Sequence, residues 1–345
     1  MRVLLIKMSS LGDVVHALPA VTDAAAHGVV FDWVVEEAFA AIPQAHPAVQ
    51  RVLPIAWRRW RKQLARERGA MAGFARTLRE EHYDLILDAQ GLIKSAAVNL
   101  LGRSSRRAGL NFTSAREPWS AFACNRRVTV AMGDHAVSRL RALFAGALGY
   151  EMPETTPDFG LSPAEERSAR ICLLLHGTTW ASKHWPESMW RALAEDLVAA
   201  GWQVSLPWGG DEERQRAERI AAAAEGIDVL PALSLAELGD RIGQAGLVVG
   251  VDSGLTHLAG AKGRPTVVVY GSTSAVRTGA LGDRVVNLQS DLACAPCLNR
   301  TCRYRGETLR WRGEAVQPAC YAQLSPERVR DEAMRLLERS EAGTT

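Results

Sequence analysis

Long apolar runs are missing from this sequence of 345 residues. The segment Met1–Lys7 places only four apolar side chains between two cations, which is far too short for a secretory signal, and no uncharged run of about 18 residues occurs that could span a bilayer. These absences argue against a transmembrane helix and predict a cytoplasmic protein.

Cysteine is also scarce, with six residues in the chain. Thiols spread this thinly do not form the disulfide framework of a small secreted protein, so free thiols or a metal site are expected. Four of them follow the spacing Cys294-x2-Cys297-x4-Cys302-x17-Cys320. This spacing matches no familiar zinc finger and leaves a structural metal open as an alternative.

Several motifs of nucleotide-binding and hydrolytic enzymes are absent as well. The chain has no G-x-G-x-x-G dinucleotide loop, no G-x-x-x-x-G-K-[ST] phosphate loop and no G-x-S-x-G nucleophile turn. Dehydrogenases, P-loop nucleotidases and serine hydrolases therefore lose their main sequence support.

What is present is the composition of a packed globular protein, with 47% hydrophobic and 23% charged residues. At about 150 residues per domain, the length suggests two domains. The net charge of +3 hides an asymmetry, because residues 51–150 alone carry 18 Lys and Arg against seven Asp and Glu. This surplus predicts an anionic partner for the first half, such as phosphate, nucleic acid or a lipid headgroup.

Short apolar runs alternate with helix-length segments along the whole chain. The runs predicted as strands are Val3–Ile6, Phe31–Val35, Arg51–Ile55, Asp84–Asp88, Ile171–Leu175, Trp202–Leu206, Ile227–Leu230, Leu247–Val251 and Thr266–Tyr270. This alternation is typical of βαβ units, so we predict an α/β fold with two Rossmann-like, doubly wound parallel-sheet domains facing across a cleft. The predicted parts are a first domain at 1–150, a proline-containing linker at 149–163, a second domain at 164–325, and a C-terminal helix and tail at 326–345.

The turn after the first predicted strand carries Asp13, on a glycine turn that opens a helix. Open α/β sheets bind their ligands at this carboxyl edge. The pattern favours two interpretations about equally, a helix N-cap and a catalytic carboxylate.

Two later strand ends carry groups suited to a nucleotide. Thr178, Thr179 and Lys183 place two hydroxyls and an ammonium just before a helix, which is a suitable cradle for a diphosphate. Glu212 and Glu213 offer carboxylates that suit either a ribose diol or the first turn of a helix.

A third strand end contains Asp252, Ser253, Gly254 and His257. An Asp, a Ser and a His within one tight turn cannot form a catalytic triad. A glycine turn that opens a helix predicts a second phosphate or sugar contact instead. By spacing alone, His257 is more typical of a packed or capping histidine than of a ligand.

The segment Ala56–Lys62 mixes two indoles with four cations. Such a run is typical of a nucleic-acid patch, a membrane-surface anchor or a solvated helix face. Its place in the basic half of the chain favours anion binding.

Taken together, the chain resembles glycosyltransferase family 9, the inverting heptosyltransferases of the GT-B fold. The resemblance covers nearly the whole length and rests on the segments Met1–Lys7, Ser9–Ala20, Arg58–Lys62, Asp88–Ser95, Thr113–Pro118, Lys183–Pro186, Leu206–Gly209 and Asp252–Leu258. Any one of these motifs is weak, whereas the set is highly specific.

The resemblance implies transfer of L-glycero-D-manno-heptose from ADP-heptose to a Kdo sugar of Kdo2-lipid A, in lipopolysaccharide inner-core biosynthesis on the cytoplasmic face of the inner membrane. It implies an acceptor-binding first domain, a donor-binding second domain, peripheral contact with an anionic membrane surface and no nucleic acid. It implies no cofactor, and the absence of an Asp-x-Asp metal motif leads us to expect metal-independent transfer.

The resemblance also assigns roles by position, with Asp13 as the base. The residues implied for donor binding are Thr178, Thr179, Lys183, Glu213, Leu233, Asp252, Ser253, Gly254, Leu255 and His257. Those implied for acceptor binding are Arg58, Arg59, Arg61, Lys62, Lys94 and Arg116. Trp57 and Trp60 offer either an apolar footing near the bilayer or inward packing.

Some residues depart from the family pattern. Ser253 stands where some relatives are expected to have Thr, Leu233 where Met is expected, and the choice of Glu213 over Glu212 depends on loop length. The cysteine spacing looks more like other branches of the family, so heptosyltransferase II, which acts on a heptose acceptor, is the first alternative. The second is a nucleotide- or polyanion-binding protein without turnover, which needs neither Asp13 nor a sugar donor.

Overall fold

A computed structural model describes residues 1–161 and 168–342, and the chain divides into two compact units, Met1–Leu161 and Ser162–Thr345. Pro163, the predicted second-domain start at residue 164 and the last three residues lie outside the described residues. The first unit extends beyond the predicted boundary at residue 150. Phe159 is buried, and the Arg141 guanidinium donates a 2.9 Å hydrogen bond to the Thr155 carbonyl, so the segment before Leu161 packs on the first unit.

The first unit is built on a six-stranded parallel sheet with the order β3-β2-β1-β4-β5-β6. Its strands are β1 (Arg2–Ile6), β2 (Val30–Glu36), β3 (Val49–Ile55), β4 (Leu85–Asp88), β5 (Arg107–Leu110) and β6 (Arg126–Val128). Its helices are α1 (Leu11–Ala25), α2 (Ala41–Gln44), α3 (Trp57–Lys62), α4 (Arg68–Leu78), α5 (Ile93–Leu101) and α6 (Ala136–Leu148), with 3₁₀ turns at Glu37–Phe39 and Pro118–Ala123. The central strands β1 and β4 are buried apolar runs, as expected for parallel strands covered on both faces.

The second unit repeats this plan with the strand order β12-β11-β10-β7-β8-β9. Its strands are β7 (Ser168–Leu175), β8 (Gln203–Leu206), β9 (Ile227–Val229), β10 (Ala245–Val251), β11 (Thr266–Tyr270) and β12 (Val285–Gln289), with a small hairpin of β13 (Arg310–Trp311) and β14 (Glu314–Ala315). Its helices are α7 (Glu187–Ala199), α8 (Asp211–Ala221), α9 (Leu235–Gln244), α10 (Gly254–Ala261), α11 (Ala275–Thr278) and α12 (Pro326–Ala342), with 3₁₀ turns at Ala181–Lys183 and Ala319–Gln323. No helix among the described residues is both long and apolar enough to cross a membrane.

Each unit has its own hydrophobic core. In the second unit the rings of Trp185 and Trp190 meet edge to face, with 4.8 Å between their centroids, among buried side chains of the sheet and of α7 and α12. In the first unit Arg141 and Asp23 form a buried ion pair (Nε to Oδ2, 2.6 Å) that joins α6 to α1. Breaking one partner of a buried pair typically costs several kcal/mol, so this contact helps to hold the two helices together.

The structure confirms the predicted architecture of two doubly wound parallel sheets. Every run predicted as a strand forms one, within one to three residues at each end. Five of the described strands were not predicted: β5, β6 and β12 of the two large sheets, and β13 and β14 of the small hairpin. The sequences of β5 and β6 are short and carry arginines, so pairing with the neighbouring strand, and not local composition, makes them strands.

Candidate active site

The polar loops of the first unit meet at one edge of its sheet. Ile6 at the end of β1 pairs with Val34 of β2 and with Asp88 of β4. Because the strands are parallel, the loops that follow β1, β2 and β4 emerge side by side. Glu36 ends β2 at this edge, and Asp13 and Lys94 lie in the first turns of the helices that follow β1 and β4.

Asp13 is the third residue of α1, and Ser10 is the N-cap. The N-cap interpretation of Asp13 is therefore wrong in its position, because the aspartate completes a capping box and does not begin the helix. Its Oδ2 accepts hydrogen bonds from the backbone N–H of Ser10 (2.8 Å) and from the Ser10 hydroxyl (2.7 Å). The Asp13 side chain is 46% exposed, so its carboxylate is accessible to a ligand or water.

The charge state of Asp13 is set by its neighbours. Desolvation of the carboxyl raises its pKa, but the Lys7 ammonium, 3.5 Å from Oδ1, and the hydrogen bonds from Ser10 outweigh this effect and lower the pKa to about 2. Lys7 is itself 7% exposed, at the end of β1. Asp13 is thus an ionised carboxylate at neutral pH.

Gln90, on the loop after β4, holds the turn that precedes Asp13. Its Oε1 accepts from the backbone N–H of Met8 (2.8 Å) and of Ser9 (3.0 Å), and its Nε2 donates to the Ser9 carbonyl (2.6 Å). Lys94 donates to the Ser9 hydroxyl (2.8 Å) from the first turn of α5. Sequence reasoning missed the role of Gln90, because nothing in its local pattern shows that it reaches a turn 81 residues earlier in the chain.

The buried carboxylate of Asp88 stabilises the same loop through hydrogen bonds. Its Oδ1 accepts from the backbone N–H groups of Gln90 (2.9 Å) and Gly91 (3.1 Å), and its Oδ2 accepts from the Ser95 hydroxyl (2.8 Å). Gly91 has a φ of 64°, which glycine adopts without strain. Burial raises the pKa of Asp88, so this carboxyl serves the loop and not the solvent.

The predicted acceptor cations lie on several elements of the first unit. Arg58, Arg61, Lys62 and Arg116 are exposed. The Arg58 guanidinium lies over the Phe39 ring, 5.2 Å from its centroid. Arg59 is engaged by Glu37 (3.0 Å) and Glu67 (3.2 Å), so its charge is partly neutralised within the protein.

The two indoles of this basic segment pack inward. Trp60 is 6% exposed within the core beneath α3 and lies edge to face with Phe74, and Trp57 packs against the same core. Of the two alternatives predicted for Trp57 and Trp60, inward packing is therefore confirmed, and an apolar footing at the bilayer is not what the structure shows. The helix period puts both on the buried side while the arginines face out.

In the second unit, Lys183 and Asp252 form the centre of the predicted donor site. Lys183 lies in the 3₁₀ turn after β7, and its Nζ is 2.7 Å from Oδ2 of Asp252, which follows β10. His257 Nε2 is 3.3 Å from the other carboxylate oxygen, and the Thr178 hydroxyl donates to the Asp252 carbonyl (3.3 Å). Gly250 of β10 pairs with Leu175 of β7, which brings these loops together.

Asp252 is 7% exposed, yet it is held ionised. Desolvation raises its pKa, but the hydrogen bond and charge of His257, together with the Lys183 ammonium, lower the pKa well below the usual range of a carboxyl. Asp252 therefore acts as a fixed negative charge that positions Lys183 and His257.

Helix α10 begins directly after Asp252. Ser253 is its N-cap and accepts from the backbone N–H of Thr256, whose side-chain hydroxyl in turn bonds back to Val251. Gly254 and Leu255 form the first turn, both half-buried. The backbone N–H groups of this turn and the positive end of the helix dipole suit a phosphate.

Glu213 lies against the loop that carries the threonines. Its Oε2 accepts from the backbone N–H of Gly209 (2.8 Å), and a side chain at Gly177 would collide with its carboxylate, 2.6 Å from Oε1. Glu212 is exposed on the first turn of α8. This geometry favours Glu213 over Glu212 as the carboxylate facing the β7 loop.

The remaining predicted donor residues are peripheral to these contacts. Leu233 is half-buried in the loop before α9, and Thr179 is exposed. Sequence reasoning missed Trp180, whose ring lies 4.9 Å from Lys183 Nζ and 5.5 Å from the Arg300 guanidinium. Lys183 and Arg300 thus place two cations against one indole ring and form a positive surface at the predicted donor site.

The four spaced cysteines come together in the second unit. Cys294, Cys297, Cys302 and Cys320 are free thiols that line one cavity of about 180 Å³. In the described part of the chain, no three His, Cys, Asp or Glu side chains are assembled as a metal-ligand set. Ser182 also lines this cavity and donates to the Asn299 carbonyl (2.5 Å), which ties the cysteine segment to the Lys183 turn.

Known proteins resemble this chain in sequence. The model of glycosyltransferase family 9 (heptosyltransferase) matches residues 71–307. The chain is 48% identical over 340 residues to lipopolysaccharide heptosyltransferase 1 of Pseudomonas aeruginosa, covering 95% of this chain and 96% of that protein. It is 43% identical over 291 residues to lipopolysaccharide heptosyltransferase 1 of Escherichia coli K12, covering 82% and 91%.

Solved structures agree with the sequence relatives. E. coli heptosyltransferase WaaC with ADP superimposes with a TM-score of 0.80 at 41% identity, over 84% of this chain and 93% of that one. The same enzyme with ADP-2-deoxy-2-fluoro heptose superimposes with a TM-score of 0.77 over the same shares.

Proposed function

The chain belongs to glycosyltransferase family 9, the heptosyltransferases, and from this premise we propose that it transfers heptose from ADP-heptose to a Kdo sugar of Kdo2-lipid A. The reaction belongs to the synthesis of the lipopolysaccharide inner core, and we place it on the cytoplasmic face of the inner membrane. Support for the donor comes from the WaaC structures with ADP and with its fluorinated heptose derivative. Support for the acceptor comes from the heptosyltransferase 1 relatives and from the basic first unit.

The observation that carries the mechanism is an ionised, half-exposed Asp13 at the carboxyl edge of the first sheet. A carboxylate with so low a pKa does not deprotonate a free hydroxyl in the ground state. It accepts the proton late, when the acceptor oxygen has begun to bond to the anomeric carbon and its proton has become acidic. One displacement from the face opposite ADP then inverts the anomeric centre without a covalent sugar intermediate.

The second unit supplies the groups for the leaving diphosphate. Lys183, the hydroxyls of Thr178 and Thr179 and the first turn of α10 offer a cation and hydrogen-bond donors. Negative charge grows on the bridging oxygen as the sugar leaves, so donors aimed at it stabilise the transition state more than the bound substrate. Glu213 is assigned to the ribose diol and Leu233 to the adenine.

Transfer should not depend on a divalent cation, because Lys183 supplies positive charge where many nucleotide-sugar enzymes place a metal ion. Turnover measured after treatment with EDTA should equal that of the untreated enzyme. Loss of turnover that Mg²⁺ or Mn²⁺ restores would contradict this mechanism. Turnover restored by Zn²⁺ alone would indicate that the cysteine cavity holds a metal that the enzyme needs.

Lys7 should control the pH range in which Asp13 is active. Transfer needs the ionised carboxylate, so activity is lost as pH falls through the Asp13 pKa, which is about 2 in the native protein. Lys7→Met removes the nearest cation and raises that pKa, and the acid limb of the profile of kcat/KM against pH should therefore move towards neutrality. Lys262→Met, on a cation directly after α10 in the second unit, is the matched control. Identical profiles for the two variants would remove Lys7 from the mechanism.

The basic helix should affect the acceptor and not the donor. Arg59→Ala combined with Arg61→Ala should raise the acceptor KM, each lost contact costing about 1.5 to 3 kcal/mol if desolvated and much less if exposed. Added salt should reproduce part of the effect. The control is Arg335→Ala with Arg339→Ala, which removes the same charge from exposed positions of α12. An unchanged acceptor KM, or an equal loss of affinity for donor and acceptor, would show that α3 is a solvated structural helix and not part of the acceptor site.

The decisive test of the proposed function is product formation from ADP-heptose. We expect a heptosylated product with Kdo2-lipid A, and much slower turnover with ADP-ribose, UDP-sugars or NAD as donor. Transfer to an acceptor that already carries heptose, without transfer to Kdo2-lipid A, would reassign the chain to the heptosyltransferase II reaction. ADP binding without any product would reduce it to a nucleotide-binding protein.

A further inference from the structure

Helix α5 turns an apolar stripe towards solvent. Ile93 is 56% exposed, Leu100 61% and Leu101 41%, and Ala97 is exposed as well. Residues spaced i, i+4, i+7 and i+8 share one side of a helix. The opposite side of α5, with Ser95, Ala96, Val98 and Asn99, is buried in the first unit, so the apolar stripe is not part of that unit's core.

Aromatic rings extend this surface. The 3₁₀ turn Pro118–Ala123 packs beside α5 and exposes Trp119 (70%) and Phe122 (64%), which stack on each other with 5.8 Å between ring centroids. Phe112, 39% exposed, meets Phe122 edge to face at 5.0 Å. The backbone N–H of Ile93 donates to the Glu117 carboxylate (2.7 Å) and ties the turn to the start of α5.

The apolar face is defined here by seven residues of these elements: Ile93, Ala97, Leu100, Leu101, Phe112, Trp119 and Phe122. An exposed apolar surface of this kind marks an interaction site. Its occupant is indicated by the charges around it.

Cations surround the apolar face almost without counter-charge. Residues 91–130 hold seven Lys and Arg against one Glu, and that Glu is the hydrogen-bonded Glu117. The Arg127 guanidinium lies 5.1 Å from the Phe112 ring centroid. Other exposed arginines stand just beyond α5, beside Glu117 and on the edge strand β6: Arg103, Arg106, Arg116 and Arg126.

We propose that the apolar face docks the first unit on an anionic lipid bilayer, with Trp119 and Phe122 inserted at the headgroup level and the arginines on lipid phosphates. Apolar insertion together with a polybasic rim is the two-part signal that stable peripheral binding needs. Tryptophan favours this interface because its ring is amphipathic. A second copy of the chain is disfavoured as occupant, since a two-fold contact would press this cationic rim against itself.

The position of α5 connects docking to the proposed function, on which this step rests. Lys94 follows Ile93 and donates to the Ser9 hydroxyl in the turn before Asp13. A bilayer against Ile93 therefore lies next to the residue that contacts the turn before the proposed base. A sugar acceptor anchored in that bilayer is delivered to Asp13 without leaving the membrane.

The test is sedimentation of the full chain with vesicles of phosphatidylcholine, with and without phosphatidylglycerol. Binding should require the anionic lipid and should weaken as salt is raised. Trp119→Ser combined with Phe122→Ser should reduce the vesicle partition coefficient about tenfold or more. Met152→Ser with Val276→Ser removes exposed apolar side chains elsewhere and should bind like the native chain. Thermal melting of both double variants verifies that they are folded.

Several outcomes would overturn this proposal. One is equal vesicle binding by the Trp119/Phe122 variant and the native chain, and another is no binding by the native chain. If the Trp119/Phe122 variant and the native chain sedimented differently without vesicles, the apolar face would instead join two copies of the chain.

Turnover on a detergent-dispersed acceptor separates the docking proposal from the proposed function. The variant should retain it if the face binds only the bilayer, and a raised acceptor KM there would assign the face to the acceptor's acyl chains. Vesicle binding by a native chain that makes no product would contradict the proposed function and leave docking standing.

Discussion

Replacing Asp13 with asparagine should lower turnover by about 10²- to 10⁴-fold, the usual contribution of a positioned general base. Asparagine is nearly isosteric, and its carbonyl oxygen can still accept from Ser10, so α1 should keep its capping contact. Affinity for ADP, measured by calorimetry, should stay close to that of the native protein because the proposed donor residues lie in the second unit.

Asp134→Asn is the matched control for this experiment, since it neutralises an exposed aspartate of the same unit. It should leave turnover unchanged. If Asp13→Asn retained more than about a tenth of native turnover, Asp13 would be a capping residue and no base.

Replacing Lys183 with alanine should weaken ADP-heptose binding and lower kcat further. A charge-assisted hydrogen bond is worth about 1.5 to 3 kcal/mol, so binding should fall roughly 10- to 100-fold. Because charge develops on the leaving diphosphate in the transition state, the loss in kcat should reach about 10²-fold or more. Single-turnover kinetics at saturating donor separate the two effects.

Lys183 also neutralises Asp252, so the variant leaves a buried carboxylate with His257 as its remaining ion-pair partner among the described residues. The double variant Lys183→Ala with Asp252→Asn removes that charge too and should recover thermal stability without recovering turnover. Recovery of turnover as well would show that Lys183 acts only by balancing Asp252. Lys262→Ala, on a cation at the end of α10, should leave both constants unchanged.

Local sequence patterns were enough to predict most of the strands and the strand ends that carry polar groups. Thr266–Tyr270 was predicted to the residue, and the C-terminal helix begins at the predicted Pro326. These features follow from local patterns, because a run of β-branched residues or a proline in a first helical turn acts within a few residues of itself. The motif set also identified the family, which the relatives confirm.

The contacts that these groups make with one another became visible in the three-dimensional structure. It pairs Lys7 with Asp13, clamps the Ser9 turn with Gln90, sets Lys183 on Asp252 and divides the charge of Arg59 between two glutamates. It also placed Trp60 in the core and the aromatic rings of Trp119 and Phe122 outside. The contacts of Ser9 with Gln90, of Arg59 with Glu37 and of Lys183 with Asp252 join segments that are distant in sequence. Strand order and helix packing bring these segments together. Distance and burial govern pKa and binding, and neither can be read from spacing along the chain.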